Sequence, residues 1–408
     1  NVFSAFGEVS APIIEQLELN LSGRYDDYSS GQSAFSPKIG AKFTPIPQLA
    51  IRGTWSKGFR IPSFNESFGL PTTGYVTQGG STFCATYTAF CSQHLDSNGQ
   101  PNAYASQSFP VGLTQQGNPN LDPERSTAIT AGIIFEPIRN VSFTVDFWRI
   151  KVKDLIIGVT DISDALEQYY TNGGVVNIPG INVLPRTPDT AYPNALPHIG
   201  FIQSSYVNAD EQLVQGIDFG AQTRFDLTDN VRWTSFFEAA YLMKNHLTPI
   251  DPITGEPGDK LEYEGTLSPC NVTSCSGSPS WRASWQNTLD FGDTTVSATA
   301  YYTSGYDLAS VDYGGVPGDC EASIGASVVT YVDGTPVLCE ADATWNVDLT
   351  ASHRINDKFT IYANILNVLD IDAPFDPSAA YSIFQFNPAW AGPNIMGRYF
   401  RLGAKVDF

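Results

Sequence analysis

The last stretch of the chain sorts its side chains into two kinds by simple alternation. Phe400, Leu402, Ala404, Val406 and Phe408 fall on one face, and Tyr399, Arg401, Gly403, Lys405 and Asp407 on the other. Successive side chains on a β-strand point to opposite faces, so one face is oily and the other polar. The same period recurs upstream. Leu17, Leu19 and Leu21 alternate with Glu18, Asn20 and Ser22, and Val141, Phe143, Val145 and Phe147 with Ser142, Thr144 and Asp146. Ile217, Phe219 and Ala221 alternate with Asp218, Gly220 and Gln222, and Val347, Leu349 and Ala351 with Asn346, Asp348 and Thr350. One such run fits a half-buried strand of a soluble sheet. Many runs, with ionisable residues on the second face, fit an oily outside and a wet interior better.

Thirteen strands are expected, at about 1–9, 15–27, 35–44, 48–58, 126–136, 140–153, 200–226, 231–243, 281–291, 293–303, 342–354, 358–368 and 396–408. Their connections alternate between short and long. Short turns fall at Pro45–Pro47, Glu136–Asn140, Leu227–Asn230, Gly292-Asp293 and Asn356-Asp357, and long ones at about 59–125, 154–199, 244–280, 304–341 and 370–395. Short periplasmic turns and long extracellular loops are the habit of outer-membrane barrels. The predicted fold is therefore all-β, a transmembrane antiparallel β-barrel whose C-terminal part spans residues 1–408. Thirteen is an odd count for a single-chain barrel, and an open sheet would leave unpaired edge amides in lipid. Upstream strands, or pairing with another piece, would resolve this. A break near Asn208-Ala209-Asp210, giving fourteen strands and a closed barrel, is the alternative. Within the second long loop, residues 161–170 read as a short helix with Asp161 or Ser163 as N-cap.

Composition agrees with a barrel. Only 16% of the 408 residues are charged while 12% are aromatic, and the formal net charge is −20. A mean hydropathy of −0.13 is what alternation of lipid-facing and lumen-facing residues produces. No run approaches the roughly 18 apolar residues of a membrane helix. The acidic balance argues against nucleic-acid partners. The opening Asn1-Val2-Phe3-Ser4 has neither Met nor an apolar signal region and reads as a processed form or a fragment. Six cysteines fall as sequence neighbours, Cys84 with Cys91, Cys270 with Cys275 and Cys320 with Cys339, each in a Gly/Pro/Ser-rich loop. Loop-stapling disulfides are the simplest reading and imply an oxidising compartment. Free thiols are the alternative; a zinc site lacks the needed Cys-x-x-Cys or neighbouring His.

Several segments resemble the TonB-dependent outer-membrane receptors. Gly58–Glu66 (GFRIPSFNE) is similar to that family's strand-to-loop element, and Gly117–Ser126 (GNPNLDPERS) to its GNPxLxPE signature. Thr144–Leu155 resembles the segment that follows, Gln215–Asp218 the GxD/E strand, and Asn364–Asp370 the NxxNLxD element. Phe408 matches the terminal aromatic residue. Asn-Pro and Asp-Pro also simply break secondary structure at loop ends, so a structural role for these motifs is expected. The resemblance implies about 13 strands of a 22-stranded barrel in the bacterial outer membrane, with outer-membrane lipid around it. It also implies a plug, nine further strands and a contact to a TonB-type inner-membrane complex, all supplied by a part not present in this sequence.

No catalytic set is persuasive: there is no Gly-x-Ser-x-Gly, phosphate loop or His-Glu-x-x-His. An enzyme, a cofactor and a metal site are not expected. His94, His198, His246 and His353 read as isolated surface histidines, with His353 near a periplasmic turn. Asp26-Asp27 could bind calcium at a loop tip but reads rather as a solvated turn. Aromatic side chains offer stiff contact area for a ligand, or they pack loops against one another. Tyr75, Tyr87, Phe90, Tyr104, Phe109, Tyr169, Tyr170, Tyr192, Tyr306, Tyr313, Tyr381, Phe384, Phe386 and Trp390 all lie in the long loops. From these, Tyr313, Tyr381, Phe384 and Trp390 are the candidate ligand contacts. Arg60 joins them as a cation at the mouth, able either to meet an anionic siderophore or to pair with Glu66 or a plug carboxylate. The expected function is active uptake of a small scarce nutrient, whether siderophore, cobalamin, saccharide or peptide. A passive porin-like channel and a surface-binding or structural barrel are the competitors.

Overall fold

The computed structural model describes residues 1–79, 82–158, 162–251, 254–270, 275–325, 328–378 and 385–407. Thirteen long strands form one antiparallel wall in chain order. They are β1 (Val2–Ile14), β2 (Leu17–Tyr28), β3 (Ser33–Ile46), β4 (Leu49–Arg60), β5 (Glu124–Ile138) and β6 (Val141–Lys153). The wall continues with β7 (Glu211–Thr228), β8 (Val231–Thr248), β9 (Trp281–Phe291) and β10 (Thr294–Thr303). It ends with β11 (Thr344–Asn356), β12 (Phe359–Leu366) and β13 (Tyr399–Val406). β1 and β13 are the two ends of the pairing path. No helix among the described residues is long and apolar enough to cross a membrane.

The registers turn the alternation in each strand into two continuous surfaces. Ile51, Ile133, Val145, Phe219 and Ala239 pair in a row across β4 to β8, and Ala283, Tyr302 and Trp345 extend it to β11. One step along, Arg52, Gly132, Asp146, Asp218, Ala240 and Arg282 form the matching polar row. Slipping one strand by one residue would put its charges in the oily row, so the pattern itself fixes the register. The oily surface is bare: Phe35 is 62%, Trp285 52% and Leu402 84% exposed. A sheet that leaves so much apolar area outside needs apolar surroundings. On the polar side Arg52 reaches across β5 to Asp146 by a two-pronged ion pair of 2.9 and 2.6 Å. Only a glycine permits this, since a Cβ on Gly132 would collide with the Asp146 carboxylate.

Short turns fall where expected, while the 200–226 run does not stay in the wall. It breaks at Ala209-Asp210 into Ile199–Asn208 and β7. This is the break considered above, yet it adds no fourteenth wall strand, because Ile199 and Ile202 are buried among loop residues instead. The Asn208 amide pins the break by donating to the carbonyls of Asp122 and Asp154 at 2.8 and 2.9 Å. The expected helix is present as Ser163–Thr171. Ser163 is its first residue rather than its cap, and the cap position falls to Ile162, which makes no side-chain cap hydrogen bond. Asp161 and Phe408 lie outside the described residues.

The long connections build bodies of their own. Residues 61–123 and 154–210 share a five-stranded sheet in which Ile199–Asn208 runs parallel to Phe109–Gln116 and is flanked by Ile181–Pro185 and Ile156–Gly158. Its core holds Phe83, Phe90, Phe109, Tyr169 and Tyr170, closed by the Cys84–Cys91 disulfide. Edge-to-face rings stack around Phe83 and Phe90, with Phe83–Tyr170 centroids 5.1 Å and Phe90–Tyr170 centroids 4.9 Å apart. Most of the loop aromatics here are therefore core. A second, smaller core gathers Leu267, Tyr306 and Leu308 from the next two connections, with Trp390 packed against it, and Cys270–Cys275 and Cys320–Cys339 staple it.

Candidate ligand-binding face

Arg60 ends β4 on the polar side, and its guanidinium is already spoken for. Nε and Nη2 donate to Glu124 at 2.8 and 2.6 Å, and Nη1 and Nη2 to Glu66 at 2.8 and 3.0 Å. Glu124, only 7% exposed, also accepts the Ile156 backbone N–H at 2.9 Å. Glu66 closes the N-terminus of the short helix Phe64–Phe68 by a capping box with Ser63. Two fixed carboxylates against one cation leave little positive charge for a ligand. Of the two roles open to Arg60, the structure shows pairing with Glu66, together with Glu124 from the second motif. The two family-like motifs thus meet as a latch that holds the first loop body onto β4 and β5.

Trp390 lines a cleft against the wall. Its ring lies 4.9 Å from the Arg282 guanidinium of β9, and its Nε1–H donates to the Ser276 carbonyl at 2.5 Å. A cleft of about 360 Å³ opens between this ring and the wall, lined by Arg282, Tyr301, Asn346, Asp348 and Asn394. It adjoins a space of about 540 Å³ along the polar side, bounded by Thr144, Asp218, Glu238 and Ser284. No ion pair involves Arg282 among the described residues, so its charge is open to an anion beside the Trp390 ring. Arg282, Tyr301 and Glu238 were not singled out from sequence, and Asp218 was named only for its strand and motif. Alternation had placed Asp218 on the polar face, and extending that rule to Arg282 was the available signal.

Tyr313 lies elsewhere, 51% exposed at the end of the one-turn segment Val311–Tyr313. Burial and the neighbouring Asp312 push its phenol above the usual range. Tyr381 and Phe384 lie outside the described residues. Asp26 is no solvated turn residue: it is 2% exposed within β2 and accepts from Arg24 at 2.9 Å. Among the described residues no group of three or more His, Cys, Asp or Glu side chains converges on a metal site.

The histidines correct the sequence reading most clearly. His94 and His198 are 0% and 1% exposed, deep in the first loop body rather than on a surface. His94 Nδ1 lies 3.1 Å from Asp189 Oδ2 and its Nε2 2.9 Å from the Leu196 carbonyl. Burial pushes the Asp189 carboxyl up, but the Asn102 amide, the Ala191 N–H and His94 together hold it below its ordinary range. His198 Nε2 meets the Tyr104 carbonyl at 2.8 Å, and Nδ1 faces the Tyr170 hydroxyl at 3.1 Å. Burial brings this imidazole down to about 4 against the pull of the Tyr104 carbonyl, with His94 and Arg186 adding repulsion. His246 is also buried, 3.5 Å from Glu262, whereas His353 is bound by Thr294 beside a short turn.

Residues 1–368 match the family described as TonB dependent receptor-like, beta-barrel. No curated protein sequence matches the chain. Among solved structures, the siderophore receptor PirA from Acinetobacter baumannii is similar at 16% identity and a TM-score of 0.59, covering 100% of this chain and 46% of that one. A ferric enterobactin receptor (PfeA) mutant from Pseudomonas aeruginosa matches at 13% identity and TM-score 0.57, over 100% and 45%. A copper transporter, OprC, matches at 13% and 0.51, over 100% and 47%. The chain thus spans a little under half the length of these structures, and at such identities the likeness is one of fold. With a family match over 368 residues and a sheet of the same architecture, this chain belongs to the TonB-dependent receptor β-barrel family, a family of transport receptors.

Proposed function

We propose that the chain forms the wall and loops of an active-transport receptor in a bacterial outer membrane, with its long loops outside the cell. It takes up a small scarce nutrient, and a plug and further strands from outside these 408 residues connect it to a TonB-type inner-membrane complex. The observation that carries this reading is the cleft between Trp390 and the polar wall. A guanidinium without an ion-pair partner among the described residues, lying against the Trp390 ring in a cleft also lined by Tyr301, suits a compact ligand with anionic and aromatic groups. A ferric chelate is such a ligand, in keeping with the siderophore receptors that share the fold; Asp348 in the cleft and Asp218 and Glu238 beside it keep cobalamin, saccharides and peptides as alternatives.

The test is uptake of labelled ferric siderophores by cells carrying the full-length protein, with and without the inner-membrane complex, alongside conductance in planar bilayers. Uptake that depends on the complex, with a closed pore, is the expected result. Uptake that survives loss of the complex, or a large constitutive current, would replace the receptor with a passive channel.

A further inference from the structure

The oily surface of the wall does not fade evenly into the loops. On β6, Val141, Phe143, Val145 and Phe147 share their face with Arg149, Lys151 and Lys153. On β5 the same face runs from Phe135 through Ile133 and Ile129 to Thr127 and Arg125, and on β4 from Leu49 through Ile51 and Trp55 to Lys57 and Phe59. Registers align these changes: Lys57 pairs with Thr127 and Thr127 with Lys151, while Phe59 pairs with Arg125 and Arg125 with Lys153. Five of the chain's 22 basic residues therefore converge on one patch at the long-loop end, in a protein of net charge −20. Four of them, Lys57, Arg125, Lys151 and Lys153, line a pocket of about 240 Å³ together with Phe35 and Phe59. Glu211 bridges Lys151 and Lys153 at 2.6 and 2.7 Å, and Asp27 and Asp154 flank the patch, but Lys57, Arg125 and Arg149 have no ion-pair partner among the described residues.

We infer that this patch binds the phosphate of a lipid headgroup in the outer leaflet. The position of the patch selects that partner over a soluble polyanion. The strand rises about 3.3 Å per residue, so Arg149 to Lys153 stand roughly 7 to 20 Å beyond the last apolar ring, Phe147, along a tilted strand. That is the depth of the headgroups when the apolar band sits in hydrocarbon. Phe35 and Phe59 close the pocket with apolar rings, Phe59 at the level of Arg125 and Lys153. Long basic side chains suit this boundary because their stems stay in the oily layer while their charge reaches the phosphates. The inference rests on the outward orientation of the long loops proposed above, not on transport.

The test uses the full-length protein, extracted in mild detergent and examined by native mass spectrometry with phosphorylated or dephosphorylated lipid A as probe. Wild type should hold the phosphorylated form selectively, and the quadruple variant Lys57→Gln, Arg125→Gln, Lys151→Gln, Lys153→Gln should lose about tenfold or more of that binding. Arg354→Gln with Lys358→Gln, at the short-turn end, should leave it unchanged, and heat-modifiable gel migration should show all variants folded. Equal binding by the quadruple variant, equal loss in the short-turn variant, or equal competition by inorganic phosphate would each overturn the assignment. A full-length Asn98→Cys protein should react in whole cells with a membrane-impermeant maleimide, because Asn98 is an exposed loop residue. Failure to react would remove the outer leaflet from the proposal while leaving the transport assay to stand or fall on its own.

Discussion

Glu124 is the residue on which the attachment of the first loop body turns. Its carboxylate receives three donors: two from Arg60 and the backbone N–H of Ile156, a residue itself only 8% exposed. Replacing it with alanine strands that N–H, a loss of about 1–3 kcal/mol for a buried unsatisfied donor. Losing one partner of a buried ion pair can cost about 3–5 kcal/mol. Here Arg60 is half exposed and keeps Glu66, so that component shrinks to about 1 kcal/mol. The sum, about 2–4 kcal/mol, falls on local opening of the loop body rather than on the wall, whose strands keep their ladders. Hydrogen exchange followed by mass spectrometry reads it directly: peptides covering residues 154–158 should exchange roughly 30- to 1000-fold faster in Glu124→Ala. Peptides from β8 to β10 should not change. Glu124→Gln, which keeps one acceptor oxygen, should fall between. Unaltered protection at residues 154–158 in Glu124→Ala would refute the latch and return Arg60 to the list of free ligand cations.

Other expectations follow from the same geometry. His198 is held neutral at about 4 against an ordinary value near 6.5, so the unfolded loop takes up a proton that the folded one refuses between those values. Stability of the first loop body should therefore fall as pH drops from about 6.5 to about 4, by about 3 kcal/mol in all; limited proteolysis across that range measures it, and a flat profile would contradict the buried neutral ring. Opening the Cys84–Cys91 link by a double serine substitution frees a loop of sequence separation 7 and should cost about 2–3 kcal/mol, read as faster cleavage within residues 61–123. Trp390→Ala removes a cation–π contact and the hydrogen bond to Ser276. It should weaken ligand binding about tenfold or more by titration calorimetry while sparing heat-modifiable migration, and Arg282→Ala should do the same for an anionic ligand.

The wall was legible because two different surroundings press on it at every second residue. That pressure writes a period-two code which a local reading of Val141–Phe147 or Phe400–Phe408 recovers. The loop bodies carry no such code. Phe90 and Tyr170 meet across 80 positions of sequence and His94 and Asp189 across 95, so each ring reads equally well as a ligand platform or a core residue. The 200–226 run misled for a related reason: alternation continues across Ala209-Asp210 even though the sheet it serves changes there. Arg60 was read as a cation at the mouth, but whether its charge was available depended on Glu124, a residue 64 positions away. For Trp390 the aromatic type alone suggested a contact surface, and only the register of β9 supplied the arginine beneath it.

The parallel ladder between Phe109–Gln116 and Ile199–Asn208 bears on how such receptors diversify. Because that ladder and the shared aromatic core stitch residues 61–123 to 154–210, neither insertion can be exchanged with a homologue's without leaving a torn sheet edge and half a core behind. The two should travel as a single cassette, with crossover points at the ends of β4 and β6 and the starts of β5 and β7. Recombinants that swap only one half should survive as walls with ragged tops, and lineages should inherit both halves from the same parent.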